Sequence, residues 1–175
     1  TLNRPQSRNA LSAELVNELY QSIETANEDK SIRCIVITGN GSSFCSGADL
    51  KSPPGEAIAG VKSVSFADVL KAIQESPKPV ISCINGSAFA GGLGLIGASD
   101  IAIASKSAVF SFSEVRIGVI PAVISVVCLP KLGIQNGMKL FLTGEKFTGE
   151  AAVTLGLINR AVDDSQLKEA ICKEI

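Results

Sequence analysis

The sequence predicts an α/β fold with parallel strands, organised as one domain over residues 1–175. Three observations carry that expectation. Short, continuous apolar runs at 33–39, 79–84 and 100–104 read as strands buried in a sheet. Segments with helical spacing lie before, between and after them. No low-complexity tract or long linker divides the chain, and 175 residues suffice for one real core.

The chain opens on Thr1-Leu2-Asn3-Arg4-Pro5, which reads as a strand already under way, with no initiator methionine and no signal peptide. Ser12 then suits a helix N-cap, followed by Leu15, Leu19, Ile23 and Ala26 on one face. After the first strand, Gly39-Asn40-Gly41-Ser42-Ser43 marks a turn. Residues 52–61, with two prolines and two glycines, read as mobile, and 66–73 as a helix. The second strand ends in Asn85-Gly86 and leads to a helix of small residues over 91–98. Beyond Pro121 the spacing predicts helices over 135–142 and 149–155, with a short strand over 158–162.

Composition excludes several functions. Apolar residues make up 46% and charged residues 19%, so the chain is globular rather than disordered. Sixteen basic against 17 acidic residues leave a net charge of -1, and no basic patch points to nucleic acid or a membrane surface. The longest apolar stretch, 115–132, is broken by Arg116, Pro121, Pro130 and Lys131, too often for a membrane span. Five widely spaced cysteines form no CxxC pair, and histidine is absent. They read as reduced, structural thiols of an intracellular protein, with Cys45 set apart by its glycine-containing loop. Without histidine, a Ser-His-Asp or Cys-His nucleophile is excluded, and proton transfer falls to a carboxylate, a lysine, a cysteine or Tyr20.

Two loops suit an anion. Ser43-Phe44-Cys45-Ser46-Gly47-Ala48-Asp49-Leu50 and Asn85-Gly86-Ser87-Ala88-Phe89-Ala90-Gly91-Gly92-Leu93-Gly94 each follow a strand, where ligands of α/β sheets gather. Small side chains leave the backbone N–H groups accessible, and a helix beginning near Gly91 adds partial positive charge. Two such donors aimed at one point make an oxyanion hole. Close helix–sheet packing explains the same glycines, and the residues alone leave both readings open. A phosphate loop fits worse, since neither GxxxxGK[ST] nor GxGxxG is matched.

The sequence Phe44-Cys45-Ser46-Gly47-Ala48-Asp49-Leu50, together with Lys78-Pro79-Val80, Asn85-Gly86-Ser87-Ala88 and Asp100-Ile101-Ala102-Ile103-Ala104, resembles the enoyl-CoA hydratase/isomerase (crotonase) superfamily. The opening Leu2-Asn3-Arg4-Pro5 with Asn9-Ala10-Leu11, and Leu142-Thr143-Gly144 further on, extend the likeness along the whole chain. The resemblance implies the crotonase (ClpP-like) fold of stacked ββα units, with the usual C-terminal helical part cut short at Ile175. It implies an acyl-CoA thioester as substrate, its oxygen held by the N–H groups of Ala48 and Gly91, with Ala48, Asp49, Leu50 and Lys51 against the ligand. Coenzyme A belongs to the substrate, so no separate cofactor is implied, and no metal. Relatives suggest a homotrimer or dimer of trimers in the cytoplasm.

Glu114, among Phe110, Phe112, Val115 and Ile117, reads either as a desolvated acid/base or as a helix-start residue beside a capping Ser113. The resemblance makes it the glutamate that exchanges a proton beside the thioester. The family's other glutamate falls at Gly94, a plain departure. Glycine there, with the 113–125 segment, is similar to bacterial methylglutaconyl-CoA-type hydratases. The leading expectation is a hydratase acting on a 2,3-unsaturated acyl-CoA. A Δ3,Δ2-enoyl-CoA isomerase using one glutamate, or a silent acyl-CoA binder, are the alternatives. Asp100 reads as structural, and Glu145 as a distant second acid near the pocket mouth. Arg8, Lys51 and Lys62 are candidates for the CoA phosphates, although solvated surface is the ordinary place for any one of them.

Overall fold

The structure, a computed structural model, describes residues 1–53 and 63–175. Two four-stranded sheets share the strands, because each pass of the chain lays one strand in each. The first sheet holds β1 (Ile35–Thr38), β3 (Val80–Ile84), β5 (Ile101–Ser105) and β8 (Arg160–Val162), all parallel in that order. In the second, β2 (Ser43–Cys45), β4 (Ser87–Phe89) and β6 (Val109–Ser111) run parallel, and β7 (Phe147–Thr148) closes antiparallel on β6. Helices follow each strand pair: α2 (Phe66–Gln74), α3 (Gly91–Ala98) and α4 (Ala122–Thr143), with α1 (Ala13–Glu28) ahead of them and α5 (Gly149–Thr154) and α6 (Leu167–Cys172) after. The stacked ββα plan implied by the family resemblance is thus the observed one.

Passing from one sheet to the other takes only a few residues, which brings backbones into contact at the corner. A β-carbon on Gly86 would collide with the Ser42 carbonyl, so the corner admits glycine alone. Asn85 secures the same corner, accepting from Gly39 N at 3.0 Å and donating to Gly41 O at 2.9 Å.

The main core joins residues of both sheets, Ile37, Val80 and Ile84 of the first and the fully buried Phe44 and Phe110 of the second, to the helices and Phe112. Phe112 meets Phe141 edge-on at 4.6 Å between centroids, a favourable aromatic geometry. A smaller cluster of Ile81, Ile103, Val162, Leu167 and Ile171 seats α6 on the first sheet. Residues 92–98 of α3 are all buried, as expected of a helix with no polar face. Its C-terminal carbonyls are met by Lys131, which donates to Ser99 O at 2.6 Å and Ile96 O at 3.3 Å. A cation suits that end of a helix, although burial lowers the pKa of this amine.

Several expectations need correction. Leu2 makes only an isolated bridge to Gly39, not a strand. β1 is an edge strand and only partly buried, unlike the fully covered strand its apolar run suggests. The helix after Pro121 begins at Ala122 and continues to Thr143, broken at Gly133 where φ is 72° and ψ 158°. The three-residue strands of the second sheet are too short to show a period. Of the segment read as mobile, residues 54–61 lie outside the described residues.

Candidate functional site

A cleft of ≈ 540 Å³ opens between the two small-residue loops, the turn carrying Glu114 and the start of α4. Ala48, Leu50, Gly91 and Glu114 all line it, joined by Phe66, Ile120 and Ile124. Four of the residues singled out from sequence therefore meet in one place.

The orientation of Ala48 N–H follows from its peptide. Leu11 N donates to Gly47 O at 2.8 Å, and Asp49 N donates to Leu11 O at 3.0 Å. Because a trans peptide points its N–H opposite to its C=O, Ala48 N–H faces away from Leu11. No described residue accepts from it. Gly91 is the first residue of α3, where an N–H has no intrahelical acceptor.

The two loops touch. A β-carbon on Gly47, itself at φ 90°, would lie 2.8 Å from Ala90 Cβ and 3.4 Å from Gly91 N. Only glycine permits that approach. Ala90, just ahead of α3, is held at φ 47° and ψ −119°, a conformation that costs a non-glycine residue about 1–3 kcal/mol. Its N–H is fixed on Ser111 O at 3.0 Å, so the strained turn that presents Gly91 is tied to β6.

Glu114 sits in a 3-10 turn, Ser113–Ile117, directly after β6. Phe112 stands at the N-cap with no side-chain capping bond, so Ser113 is not the cap, although Glu114 does lie in the first turn as the helix-start reading has it. The side chain is partly buried, and Oε2 is wholly buried with no hydrogen-bond partner among the described residues. Burial raises the carboxyl pKa above its ordinary 4.5, opposed by a bond from the residue's own backbone N–H. Arg116, on the same turn, also lines the cleft, but its Nη2 donates to Gly144 O at 3.0 Å.

At Phe66 and Ile124 the cleft wall is apolar. A β-carbon on Gly94 would fall 2.5 Å from Ile124 Cγ2 and 3.2 Å from Phe66 Cε1. The space a side chain would need at 94 is occupied by these two residues. Sequence reasoning noticed the glycine but not its fillers, whose positions depend on how α2 and α4 close over α3.

The remaining candidates lie elsewhere. Asp49 and Lys51 line a shallower depression with Arg4, Ser7, Ala10 and Ser52, which meets the cleft at Ala48 and Leu50. Lys51 N, then Arg4, hold the Asp49 carboxyl below the usual carboxylate range. Asp100 accepts from Val80 N at 2.8 Å and is structural. Glu145 pairs with Lys139 at 2.7 Å and lines a separate depression rather than the cleft. Cys45 is fully buried and its thiol is pushed up to about 12, so it is inert. Lys62 lies outside the described residues. Among the described residues no helix is long and apolar enough to cross a membrane.

Comparison with known proteins agrees with this geometry. A family profile described as enoyl-CoA hydratase/isomerase matches residues 1–175. An enoyl-CoA hydratase of Mycobacterium tuberculosis is 37% identical over 172 residues, covering 95% of this chain and 65% of that one. The crystal structure of an enoyl-CoA hydratase from Mycobacterium smegmatis superposes with a TM-score of 0.89 at 32% identity, over 99% of this chain and 68% of the other. An enoyl-CoA hydratase/isomerase from Pseudoalteromonas atlantica gives 0.86 at 32% identity, over 98% and 68%. Against curated relatives the chain spans from 56% to 69% of their length.

Proposed function

The chain belongs to the enoyl-CoA hydratase/isomerase family, and on that premise we propose that the protein hydrates a 2,3-unsaturated acyl-CoA. One observation carries the reading: Glu114, one of whose carboxylate oxygens is buried without a partner among the described residues, lines the same cleft as Ala48 and Gly91. A thioester carbonyl between those two N–H groups gains negative charge as water adds to C3 and the double-bond electrons move onto its oxygen. Glu114 takes a proton from the attacking water and returns it to C2 as the enolate collapses. The sum is the addition of H and OH across the double bond, with Glu114 restored.

Leu50 and the nearby Asp49 and Lys51 fit contacts to the rest of the acyl-CoA. Coenzyme A is part of the substrate, so this chemistry calls for no further cofactor. Exposed apolar residues on α4, among them Val126, Ile134 and Leu142, fit a surface covered by further copies of the chain; the homotrimer or dimer of trimers and the cytoplasmic location proposed with it rest on the family resemblance alone.

A second reading is favoured by the apolar wall at Gly94, which offers no second carboxylate to hold water. In it Glu114 removes a proton from C2 of a 3-enoyl-CoA and returns it at C4, moving the double bond. Full-length protein incubated with crotonyl-CoA and 3-methylglutaconyl-CoA decides between them through loss of the enoyl-thioester absorbance. Hydration is expected, with kcat reduced about 10²–10⁴-fold in Glu114→Gln. Conversion of a 3-enoyl-CoA without hydration of either substrate would replace the hydratase by the isomerase. Binding of all three without turnover would leave a silent acyl-CoA binder.

A further inference from the structure

Residues 4–11 form a strap that hydrogen-bonds the loop carrying Ala48 from one side. Ser46 N donates to Arg8 O at 3.0 Å and Ser46 Oγ to Ser7 O at 3.3 Å. Leu11 grips Gly47 O and Asp49 N. Asn9 pins the strap, wholly buried at φ 56° with both ends of its amide bonded. Asn9 Oδ1 accepts from Arg4 N at 2.9 Å, and Nδ2 donates to Asn40 O at 2.9 Å and Ser43 O at 2.8 Å.

The last tie is charged. Arg4 Nη1 donates to Asp49 Oδ2 at 2.9 Å and to Ala10 O at 2.8 Å, joining both sides of the seam with one nitrogen. Asp49 Oδ1 meanwhile accepts from Lys51 N at 3.0 Å, so the carboxylate spans from the strap to the far end of the loop. The pair is off the core, with side chains 28% and 14% exposed. What it touches instead is the residue immediately after Ala48.

We propose that Arg4 is a positioning residue: through its ion pair with Asp49 it holds the loop so that Ala48 N–H points into the cleft. The proposal rests on the oxyanion role given to Ala48 above. Loosening this tie leaves the sheets and core intact but lets the 47–48 peptide rock about the Leu11 bonds. A donor that must meet a developing charge within a fraction of an ångström then loses more of the transition state than of the bound ground state.

Binding of butyryl-CoA labelled with ¹³C at the thioester carbonyl tests this without turnover. Isotope-difference infrared spectra of the full-length protein are expected to show the bound carbonyl band below that of free ligand. In Arg4→Met the shift should fall by about half or more and kcat about tenfold, with affinity for butyryl-CoA changed less than about threefold. Arg4→Lys should recover part of the shift, and Asp49→Asn, which keeps shape and loses charge, should lose part of it. A full shift retained in a folded Arg4→Met variant overturns the positioning role while leaving the oxyanion reading standing. No shift in the parent protein removes the oxyanion reading, and this proposal with it.

Discussion

The two sides of the cleft are built on opposite terms. On one, a short 3-10 turn offers Glu114 with a carboxylate oxygen that is buried and bonded to nothing described. On the other, Gly94 offers no side chain, and Ile124 and Phe66 close over it. The first side tolerates an unsatisfied polar atom in a place where folding would favour its removal. The second contributes only the apolar side chains of Ile124 and Phe66 where residue 94 has none. In the proposed reaction, proton traffic falls to the first wall and shape to the second.

The sharpest way to break the comparison is to make the walls alike. Gly94→Glu adds a β-carbon within 2.5 Å of Ile124 and forces a carboxylate against an apolar surface. Overpacking and burial of the charge together should cost about 3 kcal/mol or more in a denaturant titration. Combining it with Ile124→Ala should return part of that loss. If Gly94→Glu unfolds at the same denaturant concentration as the parent, the wall is not filled as described.

A smaller effect separates the walls by pH. The pKa of Glu114 is higher in the folded than in the unfolded chain because burial disfavours the charged form. Below the unfolded value, near 4.5, both states are protonated and the residue carries no electrostatic penalty. As pH rises through the folded value, the buried group must ionise and stability is lost. Glu114→Gln should therefore gain stability relative to the parent between about pH 4 and pH 8. A difference that stays flat over that range would mean that the carboxylate is not desolvated.

The smallest effect concerns the seam between the loops. Ala90→Gly relieves a positive φ, offset by greater freedom in the unfolded chain, and should stabilise by about 1 kcal/mol. Thermal unfolding would show a small rise in Tm, and an unchanged or lower Tm would mean that Ala90 is not strained.

Much of the first sheet and of α3 was legible in the sequence, because continuous apolar runs and a helix of small residues leave a strong local signal. Ser12 reads as an N-cap and is one, accepting from Leu15 N at 3.2 Å. The second sheet was not legible residue by residue: β2, β4 and β6 have three residues each, and their pairing is set by corners rather than by pattern. In the site, the residues alone left packing and helix-start readings open for the small-residue loops and Glu114, and the family resemblance singled them out. The bonds of the strap left no such signal. Arg4 and Asp49 are 45 positions apart, as Asn9 and Ser43 are 34, and no local period links them. The fillers of Gly94 were hidden for the same reason, since Ile124 reaches it only through the packing of α4 on α3.

The burial of Cys45 gives the protein an internal clock. Its thiol is sealed between the loop bearing Ala48 and the first turn of α3, while Cys172 is exposed near the end of α6. With Cys34, Cys83 and Cys128 replaced by serine, an alkylating reagent meets the two remaining thiols on very different schedules: Cys172 at once, Cys45 only when its surroundings open. The slowing of Cys45 relative to Cys172 reads the opening of the region that would hold the thioester, and needs no ligand to do so.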